Sequence, residues 1–394
     1  MARPERQYTF IKRQTQKNRK PIYYARIKTN DGVYTISTDK TSIAAAEAFV
    51  LKHLAEREAE KNQEQTAREN TTLQQYAAGF WDYDGSFAQS RLARRRTISK
   101  GYLENCAGTT ESYIMPKWGD WKLTDITTGV FDDWILQLVN DPVPNLMGKK
   151  EGVRFLAPAT VNRILQIAKS IFEQACVDGY LKENPAKYVK PISNAGKKEK
   201  GVLTPVEVKA LLNPDVWEDY RHYAINLLTL TTGIRISEVR GLQVSQVHQT
   251  HIEVHTAWEE QHGLKEPKWG SSRDLPIAPE MYEVLQKVME LSRPQTLLFY
   301  GAKGYDKPMA KSYIAKNLYK ALHKIGISEE ERIERNLTFH SHRHTLNTML
   351  RAANISDSKI RMITGHRQPS MTDLYTHFRL DDYKEIAEVT EDLF

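Results

Sequence analysis

Residues 187–200 (KYVKPISNAGKKEK) form a basic stretch broken by proline and glycine, and this stretch constrains the fold most. It has the composition of a linker, so folded units on either side must each bury a core of their own. A length of 394 residues agrees, being more than one hydrophobic core usually serves. Composition changes again near residue 70, where a charged stretch ends. Three parts are therefore expected, at residues 1–68, 71–188 and 201–394.

In the first part, residues 21–28 (PIYYARIK) and 33–38 (VYTIST) flank Asn30-Asp31-Gly32. Aromatic and β-branched runs around an Asp-Gly turn predict a hairpin, and YTFIKR before it adds a third strand. The Ala-rich run from Ser42 predicts a helix that fades into residues 56–70, either a helix tail or a linker. The second part reads as helical. Phe131, Trp134, Ile135 and Leu138 recur at spacings of three and four, as do Val161, Ile164, Leu165, Ala168, Ile171 and Phe172. Between them lies a Pro/Gly loop, residues 141–158, long enough for a functional excursion. Asn184-Pro185 is expected to end the last helix. In the third part, Thr204, Pro205 and Glu207 predict a helix N-terminus. A helix from about Tyr220 to Thr232 should stop at Gly233, and residues 251–258 and 273–277 read as strands. The expected class is multidomain α+β: a three-stranded sheet with a helix, an all-helical domain, and a mainly helical domain with a small antiparallel sheet.

The net charge of +7 decides little, but its distribution is uneven. Arg3, Arg6, Lys12, Arg13, Lys17, Arg19, Lys20, Arg26 and Lys28 face one acid, Glu5, and a second cluster holds Arg91, Arg94, Arg95, Arg96 and Lys100. Such excesses suit a polyanion; the alternative is a solvated basic surface. Cys106 and Cys176 are the only cysteines, which points to a reducing cytosol and excludes a cysteine-based zinc finger. No run approaches the ~18 apolar residues of a membrane span, and with no apolar segment behind the charges of MARPERQYTF no secretory signal is expected. A cytoplasmic protein without membrane partners is expected.

Five segments of the third part carry the chemistry. In order they are TTGIRISE (231–238), Lys268 five residues before Arg273, HSHRHT (340–345), Thr364-Gly365-His366, and Tyr375 nine residues after His366. Cutting a phosphodiester by in-line attack needs a nucleophile, cations for the non-bridging oxygens, and a proton for the leaving oxygen. Arg235 and Arg343 can present planar forks to phosphate, with Arg235 held on a short turn past the Gly233 helix stop. His366 can donate another hydrogen bond. A phenol such as Tyr375, of pKa ~10, is about a thousandth ionised at pH 7 and needs a positive field or a base. A lysine at 268 can serve as general acid, because its pKa falls among cations; Lys265 on the same presumed hairpin is the other candidate. Glu238 is placed to orient the cations. No Walker-type loop appears, so no nucleotide is expected.

These segments resemble the signature of the tyrosine recombinases, the phage-type integrases. The likeness extends upstream, where NRILQIAKSIFEQACVDGYLKENPA resembles the last helix of the family's core-binding domain and LTPVEVKALL the opening of its catalytic domain. The resemblance implies Tyr375 as nucleophile forming a 3′-phosphotyrosine, His340 as proton acceptor, and Arg235, Lys268, Arg343 and His366 around the phosphate, with no cofactor. It also implies an arm-type DNA-binding domain at 1–68, a core-binding domain at 71–188 meeting phosphates through the 91–100 cluster and Arg163, and a catalytic domain at 201–394. The implied partners are double-stranded DNA with core and arm-type sites and a homotetramer on a Holliday junction. A host bending protein and an excisionase are accessory candidates. The apolar tail positions Ile386, Val389, Leu393 and Phe394 would dock on a neighbour or fold back.

Some positions depart from the pattern: His342 stands where the family usually has an apolar residue and Ser341 where it often has an acid. His340, His342 and His344 alternate and would share a face on a strand, but no carboxylate pattern supports a metal there and none is expected. His377 is read as structural, and Trp269 either packs a hairpin or touches DNA. A type IB topoisomerase-like relaxing enzyme and a catalytically inactive relative remain as alternatives, with a metal-dependent transposase more distant.

Overall fold

Strands form first where aromatic and β-branched residues cluster: β1 (Tyr8–Arg13), β2 (Ile22–Thr29) and β3 (Gly32–Lys40) make an antiparallel sheet in chain order. The structure is a computed structural model that describes residues 7–14, 20–29, 32–144, 153–193, 200–267, 272–292, 296–365, 386, 388 and 389. It divides into two compact units, residues 1–194 and 195–394.

In the first unit the register pairs Tyr8 with Ile27 and Ile27 with Tyr34. Alternation then turns Ala25 and Ile27 inward, where they meet Val50 of α1 (Ile43–Glu69), while Arg26 and Lys28 are exposed. Ser42 caps α1 by accepting from the Ala45 amide at 3.3 Å. Only Ala46 and Val50 of this helix are buried, so the charged stretch to Glu69 is a solvated helix tail and not a linker.

Then follow α2 (Leu73–Ala77), α3 (Ser86–Ala93), α4 (Lys100–Thr109), a π-helical turn at Thr110–Ile114, α5 (Met115–Trp118), α6 (Thr128–Asn140) and α7 (Pro158–Val177). Trp118, Phe131, Ile135, Ile171 and Phe172 are fully buried in one cluster. Phe131 and Phe172 pack edge to face with centroids 5.6 Å apart. Each such side chain contributes about 1.5–3 kcal/mol by leaving water.

Two local expectations need correction. The loop between α6 and α7 holds a short ladder, β4 (Val143–Pro144) with β5 (Val153–Arg154), so the region is not wholly helical. And α7 ends at Val177, before Asn184-Pro185, because Gly179 adopts the left-handed conformation (φ +78°). Asn184 instead ties the following chain to α7: its amide donates to the Lys169 carbonyl at 3.0 Å and its oxygen accepts from the Ala186 amide at 2.9 Å.

The second unit opens with α8 (Pro205–Leu211), where Thr204 and Glu207 cap each other reciprocally. Next come α9 (Tyr220–Thr232), α10 (Ile236–Gly241), β6 (His251–Val254), β7 (Ala257–Glu259), β8 (Gly263–Lys265), β9 (Arg273–Pro276) and α11 (Pro279–Glu290). β10 (Tyr300–Gly301), β11 (Gly304–Pro308), α12 (Lys311–Lys324), α13 (Glu329–Glu334), α14 (Ser341–Ala352) and α15 (Asp357–Thr364) complete the described elements. α9 is buried from His222 to Thr232 and forms the centre of the core. The strand expected at 251–258 is broken in two, since β6 pairs with β9 and β7 with β8; with β10–β11 this makes three two-stranded ladders among the described residues of this unit. The break is anchored by the Thr256 hydroxyl, which donates to the Gly241 carbonyl at 2.6 Å. Gly241 packs so closely that a Cβ there would lie 2.7 Å from the Ala257 backbone. Of the tail, Ile386 is buried in this unit's core with Val389 packed against it, while Leu393 and Phe394 lie outside the described residues. No helix among the described residues is long and apolar enough to cross a membrane.

Candidate active site

α9 stops at Gly233, whose φ of +65° turns the chain and places Arg235 at the N-terminus of α10. The Arg235 guanidinium donates to Glu238 Oε1 at 2.8 Å and to the Gly365 carbonyl at 2.6 Å. Glu238 is 1% exposed and its other oxygen accepts from the Arg235 backbone amide at 3.0 Å, so one carboxylate caps the helix and aims the cation.

A third participant is Arg273 of β9, which sequence reasoning used only as a spacing marker. Its Nη2 donates to Glu238 Oε2 at 2.8 Å and its Nε to the Ile363 carbonyl at 2.7 Å. Burial pushes the Glu238 carboxyl up, but the hydrogen bond and charge of Arg273, followed by those of Arg235, hold it below the usual carboxylate range. The Asp274–Ile277 alternation after Arg273 signals a strand, but nothing local to Arg273 points to a carboxylate 35 residues away.

Arg343, on the first turn of α14, is 3% exposed. It donates to the Gly233 carbonyl at 2.6 Å and to the Thr364 carbonyl. Burial, then the guanidiniums of Arg235 and Arg273, push it down to about 9, still cationic at neutral pH. Three consecutive carbonyls at the end of α15 thus each accept from a different arginine: Ile363 from Arg273, Thr364 from Arg343, and Gly365 from Arg235. A helix C-terminus carries unpaired carbonyls and partial negative charge, which suits it to hold cations.

His340 precedes α14 and is exposed, with its ring edge-on to that of His344 at 4.8 Å. Loss of hydration around the ring, then the neighbouring His344, Arg343, Lys200 and Arg235, push its imidazole down to about 4, so it is neutral at pH 7 and can accept a proton. His340 and Arg343 also line a cavity with Thr229, Ile234, Lys311 and Tyr319. The histidine box is helical and not a strand, so alternation does not put its rings on one face. His342 turns into the core, 2% exposed and stacked on Phe339, and serves as the apolar residue it replaces.

Lys268, His366 and Tyr375 lie outside the described residues, as do Trp269 and His377. Lys265 is paired with Glu259 at 2.6 Å across the β7–β8 ladder. Arg235, Glu238, His340 and Arg343 are therefore the expected site residues that the structure brings together, with Arg273 added.

Residues 201–381 match the phage integrase family. The chain therefore carries a domain of that family. Tyrosine recombinases of this kind cleave and rejoin DNA, and the relatives agree. The chain is 26% identical over 229 residues to the tyrosine recombinase XerD of Lacticaseibacillus casei, covering 56% of this chain and 73% of XerD. It is 28% identical over 244 residues to the transposase of transposon Tn916 of Enterococcus faecalis, covering 56% and 59%. Among solved structures, the Tn1549 transposon integrase in complex with right-end DNA aligns with a TM-score of 0.58 at 22% identity, over 81% of this chain and 99% of that one. A lambda integrase from a tetramer bound to a Holliday junction aligns with a TM-score of 0.56 at 15% identity, over 91% and 96%. These alignments show an integrase fold.

The basic residues expected to meet DNA separate by position. Arg13, Arg26 and Lys28 lie on the sheet face turned away from α1, where Arg13 covers the Tyr24 ring at 5.2 Å. Lys12 lies over Tyr23 at 5.8 Å and Lys20 is exposed before β2; Lys17 and Arg19 lie outside the described residues, as do Arg3 and Arg6. Arg91, Arg94, Arg95, Arg96 and Lys100 occupy the end of α3 and the turn into α4, so they share no single helix face. Arg95 is left-handed (φ 56°), Arg91 covers Phe87 at 5.6 Å and Lys100 covers Tyr83 at 5.6 Å. Arg163 on α7 is exposed and donates to Asn105.

Proposed function

We propose that this protein is the integrase of a phage or integrative mobile element. It cleaves attachment-site DNA through a 3′-phosphotyrosine on Tyr375 and exchanges strands through a Holliday junction. The observation that carries the reading is the cluster of Arg235, Arg273 and Arg343 around buried Glu238 and the end of α15, one residue before His366 in the chain. Arg235 and Arg343, with His366, balance charge on the non-bridging oxygens while the Tyr375 oxygen attacks phosphorus. His340, neutral at pH 7, takes the phenolic proton. Lys268 protonates the departing 5′-oxygen; the pairing of Lys265 with Glu259 favours Lys268 for this step. Reversal of the attack by another 5′-hydroxyl rejoins the strand without ATP.

The same reading divides the chain into an arm-type DNA-binding domain at 1–68, a core-binding domain at 71–188 and a catalytic domain at 201–394. Arg13, Arg26 and Lys28 then face arm DNA, and Arg91, Arg94, Arg95, Arg96, Lys100 and Arg163 face core-site phosphates. The working assembly is a homotetramer on DNA in the cytoplasm, associated with the nucleoid, with a bending protein and an excisionase as accessory factors.

The test is a nicked suicide substrate carrying the attachment site. Wild type should form a covalent protein–DNA adduct, and Tyr375→Phe should bind the DNA without forming one. An adduct formed by Tyr375→Phe would sink the reading. With two labelled sites, joined products support recombination, and relaxation without joining would identify a topoisomerase instead.

A further inference from the structure

The outer face of β6 carries side chains that strand transfer does not use. Ile252 and Val254 point into the core, at 0% and 1% exposure, so the alternate positions His251 and Glu253 face outward. His248 comes from the preceding turn, which is closed by its own amide donating to the His251 carbonyl at 2.9 Å and by the Val247–Ile252 bridge. This turn lays the His248 ring nearly parallel to that of His251, with centroids 4.5 Å apart. His248 Nε2 then lies 3.1 Å from Glu253 Oε1. One ligand atom from each of the three residues falls within 4.8 Å of the others. Behind them, Thr250 Oγ1 lies 3.2 Å from His251 Nδ1, the kind of outer contact that fixes a ring whose other nitrogen binds a metal.

We propose that His248, His251 and Glu253 form a binding site for a divalent transition cation of the zinc class. Two imidazoles and one carboxylate are borderline donors that suit Zn²⁺ or Co²⁺, whereas Mg²⁺ and Ca²⁺ favour all-oxygen sets. The spacing of three and two residues is set by one tight turn and one strand, so little chain must be ordered to complete the site. Three protein ligands leave a coordination position for water. The cation acts as a brace and takes no part in phosphoryl transfer. It clamps the 247–251 turn to β6, and β6 pairs Val254 with Arg273 on β9, the arginine that reaches Glu238.

The test is titration of chelator-treated full-length protein with Co²⁺, followed by its visible d–d absorption, and displacement by Zn²⁺. One equivalent should bind saturably. His251→Ala and Glu253→Ala should each weaken binding by more than the roughly 10–100-fold that loss of an outer-shell partner costs, and Thr250→Val by about tenfold. His323→Ala, on α12, should bind as wild type does. Should His251→Ala fail to fold by circular dichroism, His248→Asn replaces it. Absence of saturable binding, or binding unchanged in the His248, His251 and Glu253 variants, overturns the proposal and leaves the strand-transfer reading untouched.

Discussion

The helical region 71–193 and the second unit differ in the polar side chains that they bury. Among the described residues the former buries only Thr110 and Asn184 as polar groups, around a core of Trp118, Phe131, Ile171 and Phe172. The latter buries Glu238, Arg240, His342 and Arg343 as well as its apolar core. Burying a charge is costly unless it is paired and hydrogen-bonded, and removing one partner is costlier still. The first core therefore holds a shape, while the second also holds a charge distribution ready for an anion.

Five substitutions, two of them combined, would break or sharpen this contrast. Phe172→Ala, in the apolar core, should cost about 3–5 kcal/mol of stability, read from denaturant melts. Cleavage per folded molecule should not change; a matching loss of rate would erase the division between the cores. Arg343→Lys keeps the charge and removes the fork, so adduct formation should fall about 10²–10³-fold with DNA binding retained. Wild-type rates would show that charge alone suffices.

Glu238→Gln should lower both stability and cleavage, by roughly 1.5–3 kcal/mol for a lost charged hydrogen-bond partner. Combined with Arg273→Gln, it should be less than additive, since both act on the same pair. Strict additivity would show that Arg273 works elsewhere.

The smallest effect is expected for His342→Phe, within about 1.5 kcal/mol at pH 7.5 because the site is already apolar. Its pH dependence is the sharper readout. Burial pushes His342 down to about 4, and His340 is likewise depressed, so the unfolded chain binds protons more readily than the folded one. Their contribution to stability is complete above about pH 6.5 and is lost as pH falls from there through about 4. His342→Phe should flatten that acid limb of the stability curve. An unaltered limb would assign the acid sensitivity to other groups.

What the sequence made legible was local. Thr204 with Glu207, and Gly233 after an apolar helix, are stop and start signals whose chemistry is complete within a few residues. The pairing of Arg273 with Glu238 joins positions 35 apart, and its bond to Ile363 spans 90, so neither leaves a periodic trace. The alternation of His340, His342 and His344 would put their rings on one face only on a strand, and the segment instead opens α14, whose first turn buries Ser341, His342 and Arg343. Likewise Gly179 ended α7 ahead of the more conspicuous proline, because a left-handed glycine closes a helix from within.

The end of α15 has a mechanical consequence. Its last peptide units anchor the tips of three side chains rooted in α10, β9 and α14. Gly365, at φ +62°, leaves no room to spare, since a Cβ there would come within 3.1 Å of Arg235 and 3.3 Å of Arg273. The aim of all three guanidiniums is therefore tied to the position of that one helix end.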